Sequence, residues 1–96
     1  AGIALVVGII SALKGLAVRN DLAMTGEITI LGKVLPVGGI QQKLRAAFEA
    51  GVKEVLIPSD NMAEAHALPA AITQKLKITT INAVDEAIKV ALLQPK

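Results

Sequence analysis

One lysine and one threonine are the side chains in this sequence best placed for chemistry. Lys43 lies four residues beyond the second glycine of Leu35-Pro36-Val37-Gly38-Gly39-Ile40-Gln41-Gln42-Lys43-Leu44, a run that reads as a strand end, a glycine turn and a helix start. At about 100° per residue, Ile40, Leu44, Ala47 and Phe48 share an apolar stripe, and Gln41, Gln42, Arg45 and Glu49 take the opposite face. Lys43 belongs to neither set. It sits about 60° from the centre of the stripe, beside Ala46, Ala47 and Ala50, whose short side chains can neither screen an ammonium nor pair with it. Two readings stay open: the side chain snorkels with its nitrogen in water, or the amine is partly desolvated and serves as a base. The second requires a shift of about three units from the ordinary lysine value near 10.4, or about 4 kcal/mol against the charged form.

Thr25 precedes Gly26 where the chain turns, so it reads as a turn threonine or, paired with a neutral lysine, as a nucleophile or a hydroxyl partner that holds the amine in line. Gly38 and Gly39 open the lysine helix and can present backbone N–H groups to an anion, or simply join strand to helix. Neither the Walker spacing nor a G-x-G-x-x-G pattern is present. Ser11 lies inside an apolar helix and is expected to bond back to a helical carbonyl, whereas Ser59 reads as a cap. His66 stands near Asp60 and Glu64, but the spacing scatters them over different helix faces and there is no second histidine, so no metal site is expected. Asp85 and Glu86 read as a solvated first turn favoured by the helix dipole.

Ninety-six residues with no cysteine, one aromatic residue and 53% hydrophobic content predict a single small domain, or part of one, with an aliphatic core. A disulfide scaffold and a thiolate zinc site are excluded, and the cytoplasm is the default compartment. The net charge of +2 comes from scattered basic residues, and one aromatic gives no stacking platform, so nucleic acid is not an expected partner. Ala1 to Leu13 is apolar but shorter than the roughly 20 residues of a membrane span, and no signal-peptide pattern is present.

The elements that must position Lys43 and Thr25 follow from pattern. The first is a helix, apolar on all sides and therefore expected to be covered on all sides, that ends at Gly15. It opens with no capping residue, as the downstream part of a larger domain would. A first strand falls near Leu22 to Glu27. A hairpin follows, with Glu27 to Leu31 going out, Gly32-Lys33 turning and Val34 to Val37 returning up to Pro36. The lysine helix runs to Ala50 and stops at Gly51. Val52 to Ile57 reads as a continuous buried strand closed by Pro58. Ser59-Asp60-Asn61 caps a short helix, Pro69 starts another, Lys77 to Ile81 is a last strand, and Asn82 caps a final helix. Helix, hairpin, helix, strand, helix, strand, helix is a mixed α/β order with the last two strands parallel and helices covering them.

Two ordered segments resemble a known family, the C-terminal proteolytic domain of Lon, an ATP-dependent protease with a serine–lysine dyad. Val18-Arg19-Asn20-Asp21-Leu22-Ala23-Met24-Thr25-Gly26-Glu27-Ile28-Thr29 is similar to the family's V-R-x-D-x-A-M-T-G-E-I-T, and Leu35 to Ile40 with Lys43 is similar to its L-P-[IV]-G-G-[LI]-x-x-K. Val55-Leu56-Ile57-Pro58 resembles the strand that follows, and the likeness covers Ala1 to about Leu93. It implies that Lys43 is the general base, that Thr25 orients the dyad, and that Gly38 and Gly39 shape the turn or support an oxyanion. Ala1-Gly2 resembles the end of the nucleophile motif G-P-S-A-G, which puts the expected serine immediately before Ala1. The chain is thus expected to be the part of one proteolytic domain, spanning 1–96, that carries the base. The resemblance further implies no cofactor in this domain, ATP and magnesium in a separate ATPase module, unfolded proteins as substrates, an upstream half of the domain as partner, and a hexameric ring. A non-catalytic Lon-like domain serving assembly or ligand binding is the alternative, and a small anion-binding module is a third.

Overall fold

The computed structural model describes residues 2–93. Five helices, five strands and one 3-10 turn follow one another in the α/β order expected: α1 (Ile3–Lys14), β1 (Leu22–Met24), β2 (Glu27–Ile28), β3 (Val34–Leu35), α2 (Ile40–Glu49), β4 (Glu54–Pro58), the 3-10 turn Ser59–Asn61, α3 (Met62–His66), α4 (Ala70–Thr73), β5 (Lys77–Ile81) and α5 (Val84–Ala91). β1, β4 and β5 form a parallel sheet with β4 in the middle, and β2 and β3 form an antiparallel hairpin.

β4 explains most of the architecture. All five of its residues are buried, because it is paired along both edges and covered on both faces. Successive side chains of a strand point to opposite faces, so Val55 and Ile57 enter one cluster with Ile40 and Leu44 of α2, Ala65 of α3 and Ile72 of α4. Leu56 enters the other, with Ile3 and Val7 of α1 and Ala87 and Ala91 of α5. The result is a three-layer packing, with helices on both faces of the sheet. Each fully buried Leu or Ile contributes about 2 kcal/mol to it.

The same alternation governs β1. Ala23 packs on the α2 side, whereas Leu22 and Met24 pack on the α1 side. Thr25, two residues on from Ala23, therefore continues the α2 side. Its N–H still bonds the Leu56 carbonyl at 3.0 Å, which extends the ladder one residue beyond the strand.

Several expectations need correction. α1 ends as predicted, with Gly15 at φ 68° and its N–H on the Ser11 carbonyl. Its outer side, however, is not covered by the described residues: Leu5, Ile9 and Leu13 are exposed, and only Ile3 and Val7 are buried. The hairpin exists but is shorter than read. Only Glu27 with Leu35 and Ile28 with Val34 are paired, and Ile30 and Leu31 stand exposed at its tip. The reason is an early turn: the Gly32 N–H bonds the Thr29 carbonyl and the Thr29 N–H bonds the Lys33 carbonyl, both at 2.9 Å, while the outer edge of β3 bonds the Asn82 carbonyl through the Val34 N–H and bridges Ala83 through Lys33.

The predicted side-chain caps do not form. Asn82 does not cap α5: its side-chain oxygen accepts the Ser59 hydroxyl, while its backbone N–H bonds Glu86 Oε1 at 3.2 Å. That contact also occupies Ser59, and Asn61 is engaged elsewhere. The Ser11 hydroxyl reaches forward past the helix end to the Leu16 carbonyl rather than back along the helix.

Candidate active site

Lys43 and Thr25, which lie 18 residues apart in the sequence, line the same two concavities. One, of about 200 Å³, is bounded by Gly2, Ile3 and Ala4 at the start of α1, by Met24 to Glu27, and by Val37 and Lys43. The other, of about 290 Å³, lies between β1 and α2 and is lined by Ala23, Met24, Thr25, Lys43, Ala47 and Val55. Met24, Thr25 and Lys43 form the wall common to both.

Three elements converge there, each for a local reason. The N-terminus of α1 is held by the Ile3 N–H on the Gly26 carbonyl at 2.9 Å and by a bridge between Gly2 and Glu27. The Thr25–Gly26 turn demands glycine. Gly26 has φ 148°, and a Cβ added there would stand 3.0 Å from Val34 Cγ1 and 3.4 Å from Pro58 Cγ. α2 begins at Gly39, whose φ of 66° is readily adopted only without a side chain.

The stripe on α2 falls as read, with Ile40, Leu44 and Ala47 buried and Phe48 half-buried. Lys43 projects from its border. The side chain is exposed, and among the described residues it makes no hydrogen bond or ion pair, so the burial that the base reading calls for is not supplied by these residues. Gly38 and Gly39 are exposed and do not line either concavity, whereas Val37 does. Their evident contribution is the turn. Ala1, next to which the nucleophile is expected, lies outside the described residues.

The opposite end of the sheet holds charges that pattern reading passed over. Glu54, the first residue of β4, is buried, and its Oε1 accepts Arg19 Nη1 at 2.9 Å. Its Oε2 accepts the Thr79 hydroxyl at 2.6 Å, and Lys77 Nζ stands 3.9 Å away. Arg19 also donates through Nε and Nη2 to the two carboxylate oxygens of Asp21, at 3.0 and 3.2 Å. Burial pushes the Glu54 carboxyl up, but the Thr79 and Arg19 hydrogen bonds and the nearby positive charges outweigh it and leave it below the usual glutamate range. The Arg19 hydrogen bond likewise holds Asp21 below its ordinary value, and the bonds to Asp21 and then Glu54 raise Arg19.

The sequence signal for this cluster was present, as a glutamate in an otherwise apolar strand together with the Arg19-x-Asp21 pair. Asn61, read as a capping residue, has a different role. It is fully buried and bonds both backbone groups of Val37, at 3.0 and 2.9 Å, instead of capping a helix. His66 is exposed at the end of α3, and no group of three potential metal ligands occurs among the described residues.

The family model for the Lon protease (S16) C-terminal proteolytic domain matches residues 1–94. Among curated relatives, Lon protease from Azospirillum brasilense is 47% identical over 94 residues, covering 98% of this chain and 12% of the relative. Lon protease 1 from Sorangium cellulosum is 48% identical over 88 residues, covering 92% and 11%. Lon protease from Fervidobacterium nodosum is 41% identical over 92 residues, covering 96% and 11%. The chain thus spans about one eighth of the length of the relatives it matches. With a matched span that includes the lysine helix, the Thr25–Gly26 turn and the start of α1, the chain belongs to the Lon protease (S16) C-terminal proteolytic domain family.

Proposed function

We propose that this chain supplies the general base of a serine endopeptidase, with Lys43 as the base and a serine immediately before Ala1 as the nucleophile. The observation that carries the reading is the shared wall of Lys43 and Thr25 facing the start of α1. Gly2, the described residue nearest in sequence to that serine, lines this concavity together with the lysine. The unprotonated amine of Lys43 takes the serine proton as the serine oxygen bonds to the peptide carbonyl carbon. The tetrahedral intermediate then collapses, the C–N bond breaks, and the lysine ammonium returns the proton to the leaving amine. Water, deprotonated by the same amine, releases the acyl group. Backbone N–H groups at the start of α1 and the positive end of its dipole stabilise the oxyanion.

Thr25 and Lys43 share a wall without a hydrogen bond in this structure; in the closed site of the intact protein the Thr25 hydroxyl accepts from the amine and limits its directions. Gly38 and Gly39 shape the entry to the lysine helix. The exposure of Lys43 is consistent with a segment of the intact protein, outside this chain, closing over the amine and drying it. The intact protein acts on unfolded polypeptides, is driven by ATP and magnesium bound in a separate module, and assembles as a hexamer in the cytoplasm. Family membership and the small share of the relatives' length support this wider reading.

The test is cleavage of an unstructured protein by the intact protein and by its Lys43→Gln variant. We expect cleavage to fall about 1,000-fold with the fold kept, within the range general-base removal gives. Equal cleavage by the two proteins would remove Lys43 from the role of base, and no cleavage by the well-folded parent would move the assignment to a non-catalytic domain.

A further inference from the structure

The run between β3 and α2 is tethered at one place. β3 ends at Leu35, α2 begins at Ile40, and Pro36 has no N–H to give. Among the described residues, the only hydrogen bonds that hold residues 36–38 to the rest of the fold are the two that the Asn61 side chain makes with Val37. Asn61 Oδ1 accepts the Val37 N–H at 3.0 Å, and Nδ2 donates to the Val37 carbonyl at 2.9 Å. A side-chain amide here does the work of a neighbouring strand, presenting one acceptor and one donor to one residue's backbone. Nδ2 also donates to Glu64 Oε1 at 3.0 Å, which leaves the amide little freedom to turn over. Gln41, in the first turn of α2, donates to the Glu64 carbonyl at 2.9 Å, so the 3-10 turn and α3 together hold Val37 and the helix start.

The geometry assigns Asn61 as a positioning residue for peptide-bond cleavage, acting through Val37 to fix the first turn of α2 and with it the Lys43 amine against Thr25. This rests on Lys43 being the base. Val37 and Lys43 both line the smaller concavity, and the Lys43 N–H closes the helix start on the Gly39 carbonyl at 3.1 Å. A displacement of Val37 is therefore passed through Gly38 and Gly39 to the lysine. Asn61 is 1% exposed and lies behind Val37, so its effect on the reaction is indirect.

In the intact protein, Asn61→Leu keeps the branched outline of the side chain, somewhat enlarged, but leaves both Val37 groups unpaired, whereas Asn61→Asp keeps the acceptor and loses the donor. Steady-state cleavage of a fluorogenic unstructured peptide should be normalised to sites titrated with a peptidyl boronate. We expect kcat per titrated site to fall about 10- to 100-fold in Asn61→Leu, with KM held within about twofold, as a lysine displaced by about an ångström predicts. A kcat per site within about threefold of the parent, with loss confined to the number of titratable sites, would make Asn61 a folding residue only and overturn the assignment.

If Asn61→Leu yields no soluble protein, Asn61→Asp and Glu64→Ala decide. Glu64 is exposed, and its removal frees the amide without opening the core. A kcat lowered threefold or more in either variant supports the assignment, and parental kcat in both overturns it. A Lys43→Gln control that cleaves at the parental rate overturns the base reading itself, a result distinguishable from failure of the Asn61 assignment alone.

Discussion

The two ends of the parallel sheet treat their charged side chains in opposite ways. Where β4 begins, Glu54 is buried and engaged by Arg19 and Thr79, with Lys77 alongside, and Arg19 is shared with Asp21. Just beyond the end of β1, the Lys43 side chain stands exposed and makes no hydrogen bond or ion pair with any described residue. A buried carboxylate must be paired to be tolerated, so the first end is built for holding. An amine that accepts and returns a proton, as proposed for Lys43, cannot be tied to a carboxylate, and the second end leaves its amine untied. Ligands in open α/β sheets gather at the carboxyl ends of strands, and the Thr25 concavities lie there. The Glu54 cluster at the amino ends sets the register of β1 on β4, on which the placement of Thr25 depends.

If that division is right, variants at the two ends should separate stability from catalysis. Glu54→Ala should lower the local opening free energy of β4 by about 3 kcal/mol, because Arg19 keeps only Asp21 and the Thr79 hydroxyl loses its acceptor. Amide exchange of Val55 to Ile57 in the intact protein measures this, and cleavage per folded molecule should be unchanged. The depressed Glu54 value adds a pH signature. A carboxyl that is more acidic folded than unfolded contributes stability above its unfolded value near 4.3, and that contribution is lost as pH falls from there through the folded value. Glu54→Gln should flatten this acid limb.

Gly26→Ala strikes the joint between the two ends, since its Cβ would press on Val34 and Pro58 in a backbone conformation that alanine resists. A loss of about 2 kcal/mol is expected, together with reduced cleavage, because α1 hangs on the Gly26 carbonyl. Exchange at Ile3 checks the first effect and peptidase assays the second.

Thr25→Val should give the smallest change, about a tenfold fall in kcat equivalent to about 1.4 kcal/mol, with amide exchange of β4 unaltered. A fall in stability without a fall in kcat would move Thr25 from the site to the scaffold.

Much of this arrangement was legible before any coordinates. The helical period placed Ile40, Leu44 and Ala47 inside and Lys43 at their border, because that pattern is local and the helix is short and capped by glycine at Gly51. Parallel pairing of β4 and β5 followed from a helical connection between two apolar runs. What escaped was set by contacts across the chain. Arg19 and Glu54 are 35 residues apart, and nothing in either segment announces the other. Asn61 sits 24 residues from Val37 in a run rich in capping residue types, so local propensity pointed to a cap while tertiary structure used the amide as a strand edge. The open side of α1 was misread because composition reports that a helix is apolar, not which described residues face it.

The central position of β4 has a kinetic consequence. Amides of Val55 to Ile57 lie between two paired strands and beneath helices on both faces, so they are expected to be the slowest in the molecule to exchange with solvent. α2 borders the same core along only one stripe and is tethered at its start by two side-chain amides, Asn61 on Val37 and Gln41 on the Glu64 carbonyl, so its first turn can open while the sheet stays closed. Openings of that first turn are therefore expected to carry the lysine with them without registering in the unfolding of the whole.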